Sequence, residues 1–261
     1  MTAHEGRTGT LDWSDAGGGP GRPLVMVHAL GANRDLWAQQ VPILSSKRRV
    51  VLLDLPGHGA SLAAPSHYTV AELGLDVLDV ATAAGVGEFD LCGISLGALV
   101  ALWMGINAPD RVQALVVSNT GARVGSEELW AARIEAVEAG GMEAVREAAV
   151  DRFFSPDHAS ANPGMVAEAT RVLLSVDPVG YIGCCAALKD ADLRESVGVI
   201  RSPTLVIGGD RDIATPPGES VWLHDHIPES DLLILESAAH FSNLERPDDW
   251  TAEVSGFLEG R

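Results

Sequence analysis

Four residues in this chain have the types and positions that nucleophilic catalysis requires: Ser95, the acids Asp210 and Asp212, and His240, each just past an apolar run. Ser95 is the centre of Gly93-Ile94-Ser95-Leu96-Gly97, between the apolar run Phe89 to Cys92 and a stretch of Ala, Leu, Val and Trp that continues to Gly105. The pattern reads strand, sharp turn, helix, the arrangement of a nucleophile elbow. A serine on such a turn occupies strained backbone, and glycines two before and two after it let strand and helix approach closely. The helix that starts there aims unsatisfied N–H groups and a positive dipole end at whatever sits above the hydroxyl, which suits a developing oxyanion. Leu96 N–H is the first such donor.

A serine hydroxyl is a weak nucleophile at neutral pH, so an imidazole must take its proton during attack and return it to the leaving group. His240, in Ser237-Ala238-Ala239-His240, is the candidate base, and an acid is needed to hold its tautomer and stabilise the imidazolium. Asp212 lies further into its loop than Asp210 and is favoured for reach; Asp210 would then support the loop. The second oxyanion donor is expected from Ala29-Leu30-Gly31-Ala32-Asn33, the loop after the apolar run Leu24 to His28, with Leu30 N–H the choice.

The elements that must position these residues follow in order. Residues 8 to 13 could form a short strand, and Gly17 to Pro23 reads as a loop, without the strand and glycine spacing of a phosphate cradle. Leu24 to His28 is a buried strand, Asp35 to Leu44 a short helix, Arg49 to Asp54 a strand and Thr69 to Ala84 an amphipathic helix, with Val70, Leu73, Val77 and Val80 on one face. After the elbow come a strand at Val112 to Val117, one from Pro203 toward Asp212, a helix at Gly218 to His226, a strand at Asp231 to Glu236 and a closing helix at Glu245 to Gly260. Between Gly121 and about Asp192 no buried strand is evident, only helical segments such as Ser126 to Ala139, Met142 to Phe154 and Pro163 to Ser175. The expectation is an α/β architecture: a mainly parallel sheet of the eight-stranded type covered by helices on both faces. Residues 1–120 and 193–261 form its core, and 121–192 a helical cap inserted after the strand that follows the elbow. That insertion leaves the carboxyl edge of the sheet, where open α/β sheets bind ligands, so it is a natural lid over Ser95. The chain order serine, aspartate, histidine is that of the α/β-hydrolase fold.

Composition narrows the partners. The 261 residues carry a formal net charge of −18, from 36 acidic against 18 basic side chains, which repels nucleic-acid phosphates and anionic lipid alike. Neither a nucleic-acid nor a membrane partner is expected. A carboxylate ligand would need a local cation, and every basic residue except Lys47 and Lys189 is an arginine. Three cysteines, Cys92, Cys184 and Cys185, offer no paired framework and suit a reducing compartment. The start, Met1 to Thr8, lacks the apolar core of a signal peptide and no run is long enough to span a bilayer, so a cytoplasmic protein is expected.

The remaining motifs read as structural. His58 in its glycine-rich turn is expected to hydrogen-bond rather than catalyse, and His224 and His226 lack a third metal ligand. No metal or cofactor is expected. Cys184 and Cys185 are small packing residues, and Trp37, Trp103, Trp222 and Trp250 pack in helices, whereas Trp130 falls within the cap.

With these residues on the page, the chain resembles the 3-oxoadipate enol-lactonases, α/β-hydrolases of aromatic catabolism, over nearly its whole length. The specific part is the cap: Ser118 to Gly125, Trp130-Ala131-Ala132-Arg133, Glu138 to Met142 and Tyr181 to Leu193. Ala214-Thr215-Pro216-Pro217 and His240-Phe241-Ser242-Asn243-Leu244-Glu245 are similar too. The resemblance implies Ser95 as nucleophile, Asp212 as orienting acid, His240 as base, and Leu30 and Leu96 N–H as the oxyanion hole. It implies a small lactone bearing a free carboxylate as substrate, opened to 3-oxoadipate in the β-ketoadipate pathway. Such a substrate calls for a cation in the cap, with Arg133, one turn from Trp130, the first candidate and Arg123 the second. Some relatives are fused to a decarboxylase; no second catalytic domain is expected beyond the closing helix. A carbon–carbon bond hydrolase or general carboxylesterase on the same scaffold is the alternative, and a catalytically weak ligand-binding module a further one.

Overall fold

The computed structural model describes residues 4–64 and 67–260. Met1 to Ala3, part of the amino-terminal stretch searched for a leader, lie outside them. The chain opens with a hairpin, β1 (His4–Thr8) and β2 (Leu11–Ala16), turned at Gly9 with φ +58°. β3 (Gly21–Val27) then leads through a single 3-10 turn, Arg34–Trp37, to α1 (Val41–Lys47) and β4 (Arg48–Leu53). α2 (Val70–Ala83) starts at a capping box: Thr69 Oγ1 accepts from Glu72 N–H, and the Glu72 carboxylate accepts from Thr69 N–H. β5 (Phe89–Ile94), α3 (Leu96–Asn107) and β6 (Val112–Ser118) make up the elbow unit. A run of helices follows: α4 (Glu127–Gly140), α5 (Arg146–Phe153), α6 (Pro156–Ala161), α7 (Pro163–Ser175) and α8 (Pro178–Asp190). The rest is β7 (Thr204–Gly209), α9 (Pro217–His226), β8 (Ser230–Leu235), α10 (Ser242–Glu245) and α11 (Pro247–Glu259).

The strands form one eight-stranded sheet in the order β1-β2-β4-β3-β5-β6-β7-β8. β1 and β2 are antiparallel additions at one edge; from β4 to β8 all pairings are parallel. Parallel register puts Val27, Leu53, Ile94, Ser118, Gly209 and Leu235 at one edge of the sheet, so the loops after them share a rim. β5 and β7 are buried throughout, as central strands of a parallel sheet are, and the one charged residue in them, Asp90 in β5, is paired with Arg22 and Arg48.

Several boundaries differ from the sequence reading. The single strand over residues 8 to 13 is a hairpin, because His4–Thr8 pairs along the sheet edge without any apolar period. The loop reading of Gly17 to Pro23 loses its last three residues to β3. The helix over Asp35 to Leu44 is two pieces, since Pro42 lacks the N–H that an interior position would donate and so sits in the first turn of α1. Pro247 likewise starts α11 and separates it from α10. Gly141, at φ +64°, divides Met142 to Phe154 from α4, and a 3-10 turn at Met142–Val145 precedes α5. Between β6 and β7 the chain packs α4 along α8 and α5 against α7. Among the described residues no single helix is long and apolar enough to cross a membrane.

Candidate active site

Ser95 has φ 56° and ψ −117°, a strained conformation for an L residue, between β5 and α3. Both flanking glycines are required by space: a Cβ on Gly93 would lie 2.3 Å from the Gly97 carbonyl, and one on Gly97 2.2 Å from the carbonyl oxygen of Val27. Leu96 N–H, first in α3, has no acceptor within the helix. Across from it, in the loop after β3, Gly31 N–H donates to His58 Nε2 (3.0 Å) and Ala32 N–H to Ala29 O (3.1 Å). Leu30 stands between them at the wall of the same cavity as Ser95. His58 is thus a structural residue, fully buried, its Nδ1 turned to Pro56 O at 2.9 Å. Burial, and then the neighbouring His28, depress its pKa to about 3, so it stays neutral and keeps Nε2 free to accept.

His240, on the loop after β8, lies with Nε2 2.9 Å from Ser95 Oγ and Nδ1 2.9 Å from Asp212 Oδ2. A carboxylate only accepts, so Nδ1 carries the proton and Nε2 faces the serine hydroxyl as an acceptor. Asp212 is saturated with donors: Ala214 N–H (2.8 Å) and Thr215 N–H (3.0 Å) on Oδ1, Thr215 Oγ1 (2.8 Å) and Asn119 Nδ2 (2.9 Å) on Oδ2. Burial alone would raise its pKa, but the charge and hydrogen bond of His240, the Thr215 N–H and Asn119 together hold it down to about 2. Asp210 does not reach the histidine; its Oδ1 accepts from Ala238 N–H at 3.3 Å and so braces the loop that carries His240.

Above these groups is a cavity of about 290 Å³, walled by Leu30, Val124, Trp130, Phe153, Tyr181, Leu188 and Ile213, with Arg133 and Arg152 as its cations. That is at the small end of ligand cavities, which run to roughly 300–1,000 Å³. Trp130 Nε1 donates to Val124 O (2.6 Å), and the Arg133 guanidinium lies over the Trp130 ring, 5.1 Å from its centroid. Arg123 is not brought to this cavity. Its guanidinium stands 3.7 Å from the Asp192 carboxylate and lines a separate surface hollow with Arg194, so it already has an anionic partner.

Three positions that the sequence did not single out belong to the assembly. Asn119, at φ 49°, bonds Asp212 and Ala239 O through Nδ2 while its Oδ1 accepts from Ser118 and Ser242. Glu245 accepts from Ser155 and from Ala239 N–H. Arg152 follows from no motif; only its place on α5 brings it to the cavity. Cys184 and Cys185 are buried and Trp37 meets Trp250 at 5.6 Å, as expected of packing residues, while at the end of α9 His224 Nδ1 lies 3.0 Å from Ser230 Oγ and the exposed His226 stacks on Trp222.

The sheet order, the elbow and the rim of loops define a class, and the chain belongs to the α/β hydrolase fold family, whose model matches residues 22–156. Within that family it is similar to 3-oxoadipate enol-lactonase 1 of Acinetobacter baylyi, 33% identical over 259 residues that cover 99% of this chain and 96% of that protein. Enol-lactonase 2 of the same bacterium is 33% identical over 90% of this chain and 88% of its own. The solved structure of an enol-lactonase from Burkholderia xenovorans matches with a TM-score of 0.93 and 33% identity, covering 95% of this chain and 96% of that one. The chain is a hydrolase of this family.

Proposed function

We propose that this protein opens 3-oxoadipate enol-lactone to 3-oxoadipate by a serine mechanism, as a step of aromatic catabolism. The observation that carries the reading is the unbroken chain of hydrogen bonds from Ser95 Oγ through His240 to Asp212 beneath a small cavity whose wall bears Arg133. The names of its enol-lactonase relatives support the choice of lactone.

In this mechanism Ser95 Oγ attacks the lactone carbonyl as His240 Nε2 takes its proton. The N–H groups of Leu30 and Leu96 hold the oxyanion, and Asp212 stabilises the imidazolium without itself taking the proton. Collapse breaks the ring C–O bond; the enol oxygen leaves, receives the proton from His240 and remains tethered to the acyl chain. Water, deprotonated by His240, releases Ser95, and the enol relaxes to the ketone. Arg133 holds the free carboxylate meanwhile, oriented by Trp130.

The test is loss of the lactone's ultraviolet absorbance with the unsubstituted protein and with Ser95→Ala, alongside labelling by a serine-directed phosphonate. Lactone turnover and labelling that both vanish in Ser95→Ala are expected. Turnover of a neutral p-nitrophenyl ester with none of the lactone would replace this reading with a general carboxylesterase.

A further inference from the structure

Every arginine among the described residues except two is matched to a carboxylate or a backbone carbonyl. Arg7, Arg22, Arg34, Arg48, Arg49, Arg123, Arg146, Arg171, Arg194, Arg211 and Arg246 face carboxylates, and Arg111 and Arg201 donate to backbone carbonyls. The exceptions are Arg133, whose partners are the neutral Tyr181 hydroxyl and the Trp130 ring, and Arg152; they share the wall of the cavity above Ser95. In a chain with 36 acidic residues, two guanidiniums without an anionic partner on one cavity are a marked departure. Guanidiniums do not shed their protons to relieve mutual repulsion. Burial and then the charge of Arg133 depress the pKa of Arg152, as expected for two cations that face the same space. Tyr181 is the polar group beside both, and burial raises the pKa of its phenol, so it cannot neutralise them as a phenolate. Two preorganised cations on a mostly apolar wall form a site that an anion completes.

We propose that Arg152 and Arg133 together form a two-guanidinium carboxylate site across the cavity from Ser95, and that the protein therefore hydrolyses half-esters of short dicarboxylic acids in preference to the diesters. The inference rests on the serine-hydrolase reading above and widens its substrate class from one lactone to acyl compounds with a second, free carboxylate. The reaction balances without a cofactor. Ser95 Oγ bonds to the ester carbonyl carbon, the C–O bond to methanol breaks with the proton passing through His240, and water then releases the diacid. The apolar wall between the two ends, Phe153, Leu188 and Ile213, suits the methylene chain that joins them.

The experiment compares kcat/KM for monomethyl and dimethyl adipate in the unsubstituted protein, Arg152→Met, Arg133→Met and Arg152→Lys, with circular dichroism to establish that each is folded. The monoester is expected to exceed the diester by at least about tenfold, the scale of a charge-assisted pair. The ratio falls toward one in either methionine variant and is intermediate in Arg152→Lys, which keeps charge but loses the planar fork. Equal turnover of the two esters by the unsubstituted protein overturns the proposal, and so does an Arg152→Met ratio that matches it. Should Arg152→Met fail to fold, the ratio in Arg152→Lys decides, and an unchanged value there overturns the role of Arg152. Failure of the lactone assignment is separately visible: no lactone turnover with a charge-dependent monoester preference removes the lactonase and keeps the anion site. Lactone turnover with no monoester preference does the reverse.

Discussion

Glu245 and Ser155 join the histidine loop to the cap: one carboxylate oxygen accepts from Ser155 N–H (2.9 Å) and Ala239 N–H (3.1 Å), the other from Ser155 Oγ (2.6 Å). Phe241 N–H donates to Phe153 O beside them (2.9 Å), and the two rings stack with centroids 4.2 Å apart. His240 therefore lies between two residues anchored to the cap. Glu245→Ala leaves three buried donors without an acceptor and is expected to cost about 3 kcal/mol of stability, with kcat reduced about tenfold as the loop loosens. Glu245→Gln, which keeps the oxygen shared by the two N–H groups, recovers most of both. Urea denaturation and kcat measured on the same preparations check this; a Glu245→Ala protein as stable and active as the parent would break the link.

Ser95 sits at φ 56°, where glycine is at ease and alanine is not. Ser95→Gly and Ser95→Ala both remove the hydroxyl and are expected to be inactive, yet the glycine variant should be about 1 kcal/mol more stable than the alanine variant, the reverse of the ordinary order near a helix. Equilibrium unfolding of the pair decides. An alanine variant of equal or greater stability means the elbow holds no strain that the fold must offset.

The parts legible in sequence were those with a local cause. The elbow declares itself through Gly93, Gly97 and the strand-to-helix switch, and Asp212 and His240, which the structure brings together, follow their strands in order. Helix breaks at Pro42 and Pro247 were legible in principle, because a missing N–H is a property of one residue, but periodicity alone ran across them. β1 was not legible: its residues are polar, and it forms by pairing with β2. Asn119 and Glu245 owe their roles to partners 93 and 90 residues away, which no local pattern encodes. Arg123 and Arg133 looked alike as cap cations; the difference is that Asp192 is beside the first, while among the described residues no carboxylate pairs with the second, which lies over Trp130 at the cavity wall.

His28 and His58 are both fully buried, with His28 Nε2 accepting from Leu55 N–H (2.9 Å). Burial depresses their pKa values from 6.5 to about 4 and about 3 respectively, His58 further through the charge of His28. A depressed folded pKa means stability is full above the unfolded value, 6.5, and is lost as pH falls through the folded ones. Each histidine is expected to take about 1.4 kcal/mol per pH unit between 6.5 and 4. Chemical denaturation at pH 7, 6 and 5 should show this slope, and His58→Gln should reduce it while lowering kcat through the Gly31 contact. A slope identical in His58→Gln would place the acid sensitivity elsewhere.

Asp212 acts at lower pH than the buried histidines. Its folded pKa of about 2 lies below the ordinary 3.8, held there against burial by His240, Thr215 and Asn119. The carboxylate therefore contributes stability that is present above about pH 4 and lost as pH falls toward 2, amounting to about 2 kcal/mol. Ala214, Thr215 and Asn119 also hold the carboxylate through hydrogen bonds of their own. Asp212→Asn removes the charge and allows the wrong imidazole tautomer, so activity should fall about 10³- to 10⁴-fold. The stability difference between Asp212→Asn and the parent, followed by urea midpoints, should shrink as pH falls below 4. Because the buried histidines are common to both proteins, their titration cancels in that difference. A gap that stays constant to pH 3 would mean that the carboxylate is not held ionised by the groups around it, and the assignment of Asp212 as the stabilising anion would fall with it.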